Sequence, residues 1–154
     1  ALLVKRLLML VLTLTSFFNR SRIMTIFVKE DFVSHAGLNL KWKIECDGLT
    51  KDDWECLGLM ISEIENRPFS KVVGIPRGGL ALQYAMEKYA TGNPNDPVLI
   101  VDDVYTTGTS FREFVEEHYK DQKVICWVAF ARNPASQQVN ALFQMASSMW
   151  KNLK

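Results

Sequence analysis

Two adjacent carboxylates, Asp102 and Asp103, follow the apolar run 98–101, and a polar loop follows them. That loop contains Thr106, Thr107, Gly108, Thr109 and Ser110, and a helical pattern begins within it. Backbone N–H groups at a helix N-terminus point outward and attract an anion. Gly108 lets the chain turn sharply and approach a ligand closely. The hydroxyls of Thr106, Thr107, Thr109 and Ser110 add donors, so the loop has the makings of a phosphate cradle. Carboxylates beside it would repel a bare phosphate. They suit a ligand that also carries hydroxyls or a divalent cation, as a ribose 5-phosphate does. Its phosphate would enter the loop and its 2- and 3-hydroxyls would donate to Asp102 and Asp103. A magnesium ion would accept the same oxygens.

A second polar turn lies one strand–helix unit upstream. The run 71–75 leads into Pro76, Arg77, Gly78 and Gly79. Alone this is a weak signal, a tight turn with a solvated arginine. Its importance lies in where it ends.

The elements that must position both turns can be read from the pattern. Residues 71–75, 98–101 and 123–130 form apolar runs, as expected of strands covered on both faces. Residues 80–89 and 108–119 read as helices between them. Strands alternating with helices imply an α/β fold, a parallel sheet flanked by helices on both faces. Ligands in such sheets bind beyond the carboxyl ends of the strands, and both turns fall at that edge. Upstream, 41–45 alternates as a half-exposed strand. Thr50 and Asp53 stand at capping-box spacing, followed by Trp54, Leu57, Ile61 and Ile64 at helical spacing. That helix is expected to end near Asn66, because Pro68 disfavours helix before it. Ser136 is expected to cap a last helix carrying Val139, Leu142, Phe143, Ala146, Met149, Trp150 and Leu153 on one side.

The 154 residues fit one domain with one core. A formal net charge of +1 gives no global field toward nucleic acid or an anionic membrane surface, so any anion site must be local. Cys46, Cys56 and Cys126 form no CxxC pair and only two histidines accompany them, which argues against zinc and against a disulfide framework. A reducing, cytoplasmic setting is expected. At the N-terminus, Lys5 and Arg6 precede the apolar run 7–18. This is like the start of a signal peptide, without an A-x-A-like cleavage site, and is short for a membrane span. A reading-frame extension upstream of Met24 is a further reading. The expectation is an apolar helix over 1–22 that docks on the domain 23–154 or on a partner subunit.

The string 98–110 closely resembles the phosphoribosyl pyrophosphate (PRPP) motif of type I phosphoribosyltransferases: a hydrophobic run, two acidic residues, then Thr-Gly-Thr-Ser. The resemblance implies a Rossmann-like core and a diphosphate loop at the Pro-Arg-Gly-Gly turn. Arg77 and the amides of Gly78 and Gly79 would hold that group. Residues 32–44 look like the entry region of orotate phosphoribosyltransferases. In those enzymes an arginine after the strand equivalent to 123–130 holds the carboxylate of the base; Arg132 stands at that point, with a solvated strand-end arginine as the alternative. The resemblance thus implies a pentosyltransferase of nucleotide metabolism, with Mg2+ as cofactor, PRPP and a nucleobase (orotate favoured) as partners, and a homodimer. A non-catalytic PRPP or nucleotide sensor of the same fold is the second reading. One departure matters. The family's flexible hairpin with its catalytic lysine is missing, and Lys88 on the intervening helix is a poor substitute.

Overall fold

The structure is a computed structural model and describes residues 25–145; the apolar segment expected as a helix over 1–22 lies outside them. Among the described residues, β5 (Lys71–Gly74), β6 (Val98–Tyr105), β7 (Val124–Ala131) and β8 (Val139–Gln144) form one parallel sheet in that order. Helices α1 (Lys51–Ile64) and α2 (Leu80–Met86) cover one face, and α3 (Thr109–His118) covers the other. Helices thus flank the sheet on both faces, as the pattern implied. The alternation of β6 explains how: Leu99 and Val101 pack with Trp54, Ile61 and Met86, while Val98 and Ile100 pack with Phe111 on α3. Four short strands precede the sheet. β1 (Phe27–Val28) pairs with β4 (Lys43–Ile44), and β2 (Phe32–Val33) pairs with β3 (Asn39–Leu40). No helix among the described residues is long and apolar enough to cross a membrane.

Helix α1 starts where the capping box required. The Asp53 N–H donates to Thr50 Oγ1 (3.1 Å), and the Thr50 N–H donates to Asp53 Oδ2 (2.7 Å). Trp54, Leu57 and Ile61 are buried, whereas Ile64, expected on the same stripe, is 59% exposed. It is the last helical residue, where the stripe has turned away from the sheet. α2 ends at Met86 and continues as a 3-10 turn, Glu87–Tyr89.

The helix expected after Ser136 is not formed. Val139–Gln144 is strand β8 instead, and residues 146–154 lie outside the description. Val139, Leu142 and Phe143 fit a helical period, but a short apolar run fits a strand equally well. The open edge of β7 decides between them, because pairing there satisfies the backbone groups of both strands. Val139 and Ala141 then side with the α3 layer, Leu142 with the opposite layer. Phe143 stacks on Phe130 at 5.6 Å.

Glu65, just after α1, is buried but satisfied. Its carboxylate accepts from Arg67 Nε (2.7 Å), Arg67 Nη2 (2.8 Å) and Trp127 Nε1 (2.8 Å). Arg67's hydrogen bonds outweigh burial and, with Trp127, lower its pKa from 4.5 to about 2. A carboxyl lowered in this way contributes stability above pH 4.5, which is lost as pH falls toward 2. Arg67 is largely solvated, so about 2 kcal/mol is expected. Urea midpoints between pH 2 and 5 should fall steeply for the parent and less so for Glu65→Gln. Equal slopes would show that Glu65 is not the responsible group.

Candidate functional site

The carboxyl end of β6 carries the site. β6 runs beyond the expected 98–101 and includes both aspartates. Val101 and Val104 pack against the same cluster although three residues apart, so the strand's alternation breaks at Asp102 and Asp103. The side chains there take over backbone acceptor work. The Asp103 N–H donates to Asp102 Oδ1 (2.9 Å) and the Val104 N–H to Asp103 Oδ1 (2.7 Å). Asp102 is 7% exposed. Burial, and then the charge of Asp103, push its pKa up; burial raises that of Asp103 as well. Both carboxyls therefore ionise at a cost that hydroxyl donors or a cation would relieve.

The loop after β6 turns at Gly108 (φ 78°), a left-handed conformation that glycine adopts without strain. Gly108 precedes α3 and has no side chain to cap it, so the first-turn amides are left for an external acceptor. No acidic residue occupies that turn. Thr107 and Thr109 hydroxyls lie 2.9 Å apart. A cavity of about 260 Å³ is lined by Asp102, Asp103 and all of Thr106, Thr107, Gly108, Thr109 and Ser110. Its opposite wall is the β2–β3 turn, with Phe32, Ser34, His35 and Ala36, together with Lys43 and Arg132. Exposed His35, which lines this cavity, lies 3.3 Å from Glu113 on α3. Lys43, which the sequence reading did not single out, pairs with Glu30 (3.0 Å) and Glu45 (3.2 Å). The only hint of it was its place in the alternation 41–45.

The upstream turn comes to the same place. A Cβ added to Gly78 would lie 2.5 Å from the Asp103 carboxylate, so the two loops touch. The Pro76–Arg77 peptide bond is cis. Arg77 is exposed and 3.9 Å from Asp47, a solvated pair that binds little and leaves the guanidinium able to swing. A second cleft, about 1000 Å³, is lined by Arg77, Gly78, Asp103 and the α1 and α2 residues beside them. Asp103 belongs to both cavities.

Arg132 sits just past β7 and is 4% exposed, which rules out the solvated strand-end reading. Its guanidinium donates to the carbonyl of Trp42, lies 3.6 Å from the Trp42 ring centroid and 5.9 Å from that of Phe32. Lys88 is bound to Glu55 on α1, away from the first cavity. Cys46, Cys56 and Cys126 are free; burial pushes the Cys46 thiol up to about 12, with help from Asp103, and that of Cys126 to about 11. Neither buried thiol is a nucleophile at neutral pH.

The parallel sheet β5–β8 flanked by helices has the fold of the type I phosphoribosyltransferases. Solved structures share it. The UMP synthase of Leishmania donovani superposes with a TM-score of 0.66 at 14% identity over 82% of this chain; the match spans only 36% of that enzyme. The orotate phosphoribosyltransferase of Aeropyrum pernix gives 0.63 at 19% identity, over 82% of this chain and 93% of that one. That of Mycobacterium tuberculosis gives 0.61 at 16%, over 79% and 90%. No protein-family model and no curated protein sequence matches.

Proposed function

We propose that the protein binds PRPP and transfers its ribose 5-phosphate to a nitrogenous base, orotate in preference to others, releasing diphosphate. The observation that carries this reading is the convergence of three anion- and hydroxyl-binding elements on one edge: the loop 106–110, the Asp102–Asp103 pair, and the Arg77–Gly79 turn against Asp103. The 5-phosphate would occupy the loop, the ribose hydroxyls would donate to the aspartates, and the diphosphate would take the amides of Gly78 and Gly79 with Arg77. Magnesium fits this donor set. It needs only one or two protein carboxylates when a diphosphate supplies further oxygens, and Asp102, buried, and Asp103, half-buried, are carboxylates that burial makes costly to ionise. Bound there, it would neutralise charge on the leaving group.

In the transfer, the C1–diphosphate bond breaks and a C1–nitrogen bond to the base forms; the base nitrogen's proton passes to solvent. No covalent nucleophile is required. The work is electrostatic: the Arg77 turn stabilises the departing diphosphate, and Asp102 and Asp103 fix the ribose while C1 gains positive charge. The β2–β3 turn is the wall that limits water on the other side. A homodimer remains part of the proposal. The decisive assay is diphosphate release by the purified protein with PRPP, magnesium, and each common nucleobase or orotate. Release with orotate is expected, and hypoxanthine or guanine used in preference would refute the choice of base. One feature favours a second reading, a non-catalytic PRPP or nucleotide sensor. α2 passes to β6 through only a 3-10 turn and the segment 90–97, with no hairpin to close over the site. Tight PRPP binding with no turnover on any base would select it.

Orotate specificity is assigned to Arg132. Its planar fork can pair with a carboxylate, and a buried guanidinium recovers its lost hydration when it does so. Arg132→Lys keeps the charge and loses the fork. Turnover with orotate should fall about 10–100-fold, corresponding to the roughly 1.5–3 kcal/mol of a charged hydrogen bond. PRPP affinity should stay within about threefold of the parent, since its contacts lie elsewhere. A variant as active with orotate as the parent would remove Arg132 from the base site.

A further inference from the structure

The segment 131–136 is a bracket behind the phosphate loop. The Arg132 N–H donates to the Tyr105 carbonyl (2.8 Å), and the Ser136 N–H donates to the Tyr105 hydroxyl (3.2 Å). Between them, Asn133 Nδ2 donates to the carbonyl of Thr106, the first residue of the cradle. The Tyr105 ring in turn packs under Gly108; a Cβ there would lie 2.7 Å from the Tyr105 hydroxyl. Asn133 is not among the residues lining the cavity, so it reaches the site through Thr106 rather than by touching a ligand. It also neighbours Arg132, which does line that cavity.

From this we infer that Asn133 is a positioning residue of the cradle, holding the Thr106 carbonyl back so that the loop's amides and hydroxyls face the 5-phosphate. The reasoning is one of polarity. A peptide carbonyl turned into an anion site opposes the anion, and a loop of small hydroxyl residues with a glycine has little packing of its own to set its peptide orientations. A side-chain amide donor on a neighbouring loop supplies that constraint. Among the described residues, Asn133 Oδ1 is buried with no hydrogen-bond partner, so the amide's polar contact there is its hold on Thr106. Because Asn133 adjoins Arg132, the same bracket ties the cradle to the wall assigned to the base. This inference rests on the PRPP reading.

The test is calorimetric titration of the parent, Asn133→Ala and Asn133→Asp with three probes: PRPP–magnesium, ribose 5-phosphate and diphosphate. Asn133→Asp is nearly isosteric but faces the Thr106 carbonyl with an acceptor. Both variants are expected to lose at least tenfold in affinity for PRPP and ribose 5-phosphate. Diphosphate affinity, dependent on the Arg77–Gly79 turn, is expected to stay within twofold, which general unfolding would not allow. If Asn133→Ala does not fold, Asn133→Ser, which retains a short donor, is read in the same way with a smaller loss. A parent that binds PRPP alongside variants that bind ribose 5-phosphate equally well overturns the role of Asn133 alone. So does an equal loss for diphosphate. A parent that binds neither PRPP nor ribose 5-phosphate overturns the PRPP reading and this inference with it.

Discussion

Asp102→Asn combined with Asp103→Asn is expected to abolish useful PRPP affinity while making the ligand-free protein more stable. On the proposed reading, the loss follows from removing two charged acceptors of ribose hydroxyls, each contributing roughly 1.5–3 kcal/mol. Together they amount to about 3–6 kcal/mol, or roughly 10²–10⁴-fold in the dissociation constant. The gain in stability follows from burial. Both carboxyls have raised pKa values in the fold, so ionising them costs the native state and not the unfolded chain. That cost is absent in acid, where both states are protonated, and grows as pH rises above the ordinary carboxyl range near 4. Asparagine carries no such charge, and its oxygen can still accept the Asp103 and Val104 backbone N–H bonds. At pH 8 the variant should be more stable by about 2 kcal/mol, a rise of several degrees in Tm. Toward pH 4 the difference should vanish. Calorimetric titration with PRPP–magnesium and thermal melts at the two pH values check both halves. Unchanged affinity would sink the site assignment, and a variant less stable at pH 8 would sink the electrostatic account.

Gly79→Ala is expected to cost about 3 kcal/mol or more of stability. The added Cβ would stand 2.4 Å from the Val101 carbonyl oxygen and 2.6 Å from the Ile75 nitrogen. Both belong to buried backbone: the Ile75 N–H donates to that same Val101 carbonyl across the β5–β6 pair. Neither can give without parting the strands. Dihedral strain plays no part, since Gly79 has φ −75°. Gly78→Ala makes the contrast. Its nearest neighbours are the Asp103 carboxylate atoms, a side chain that can turn aside. Gly78→Ala should therefore fold and bind PRPP poorly, whereas Gly79→Ala should lower the urea midpoint sharply. Equal stability of the two variants would contradict the packing of this turn.

The legible parts of this protein were those whose causes are local. The strand alternating with helix, the capping box at Thr50 and Asp53, and the punctuated loops 76–79 and 106–110 all depend on residues a few positions apart. Backbone periodicity and turn chemistry act at that range, so the parallel sheet and its loaded edge could be read before any coordinates. The last strand could not. Val139 to Gln144 carries a pattern that suits helix or strand, and only the open edge of β7 selects the strand. The same limit applies to single side chains. Arg132 is singled out by the resemblance to the orotate enzymes, with a solvated strand-end arginine as the alternative, but its burial against Trp42 and Phe32 required the four short strands to fold over the sheet end. Asn133, Lys43 and Tyr105 acquire their partners from segments 27, 13 and 31 residues away or from the packing of whole loops. The sequence alone thus determined which residues are chemically suited to hold a sugar phosphate and at which edge they lie. The tertiary structure decided which of them touch, how the aspartates are desolvated, and which hydrogen bonds join the segment 131–136 to Tyr105 and Thr106, because burial and long-range hydrogen bonding exist only once distant segments have been brought together.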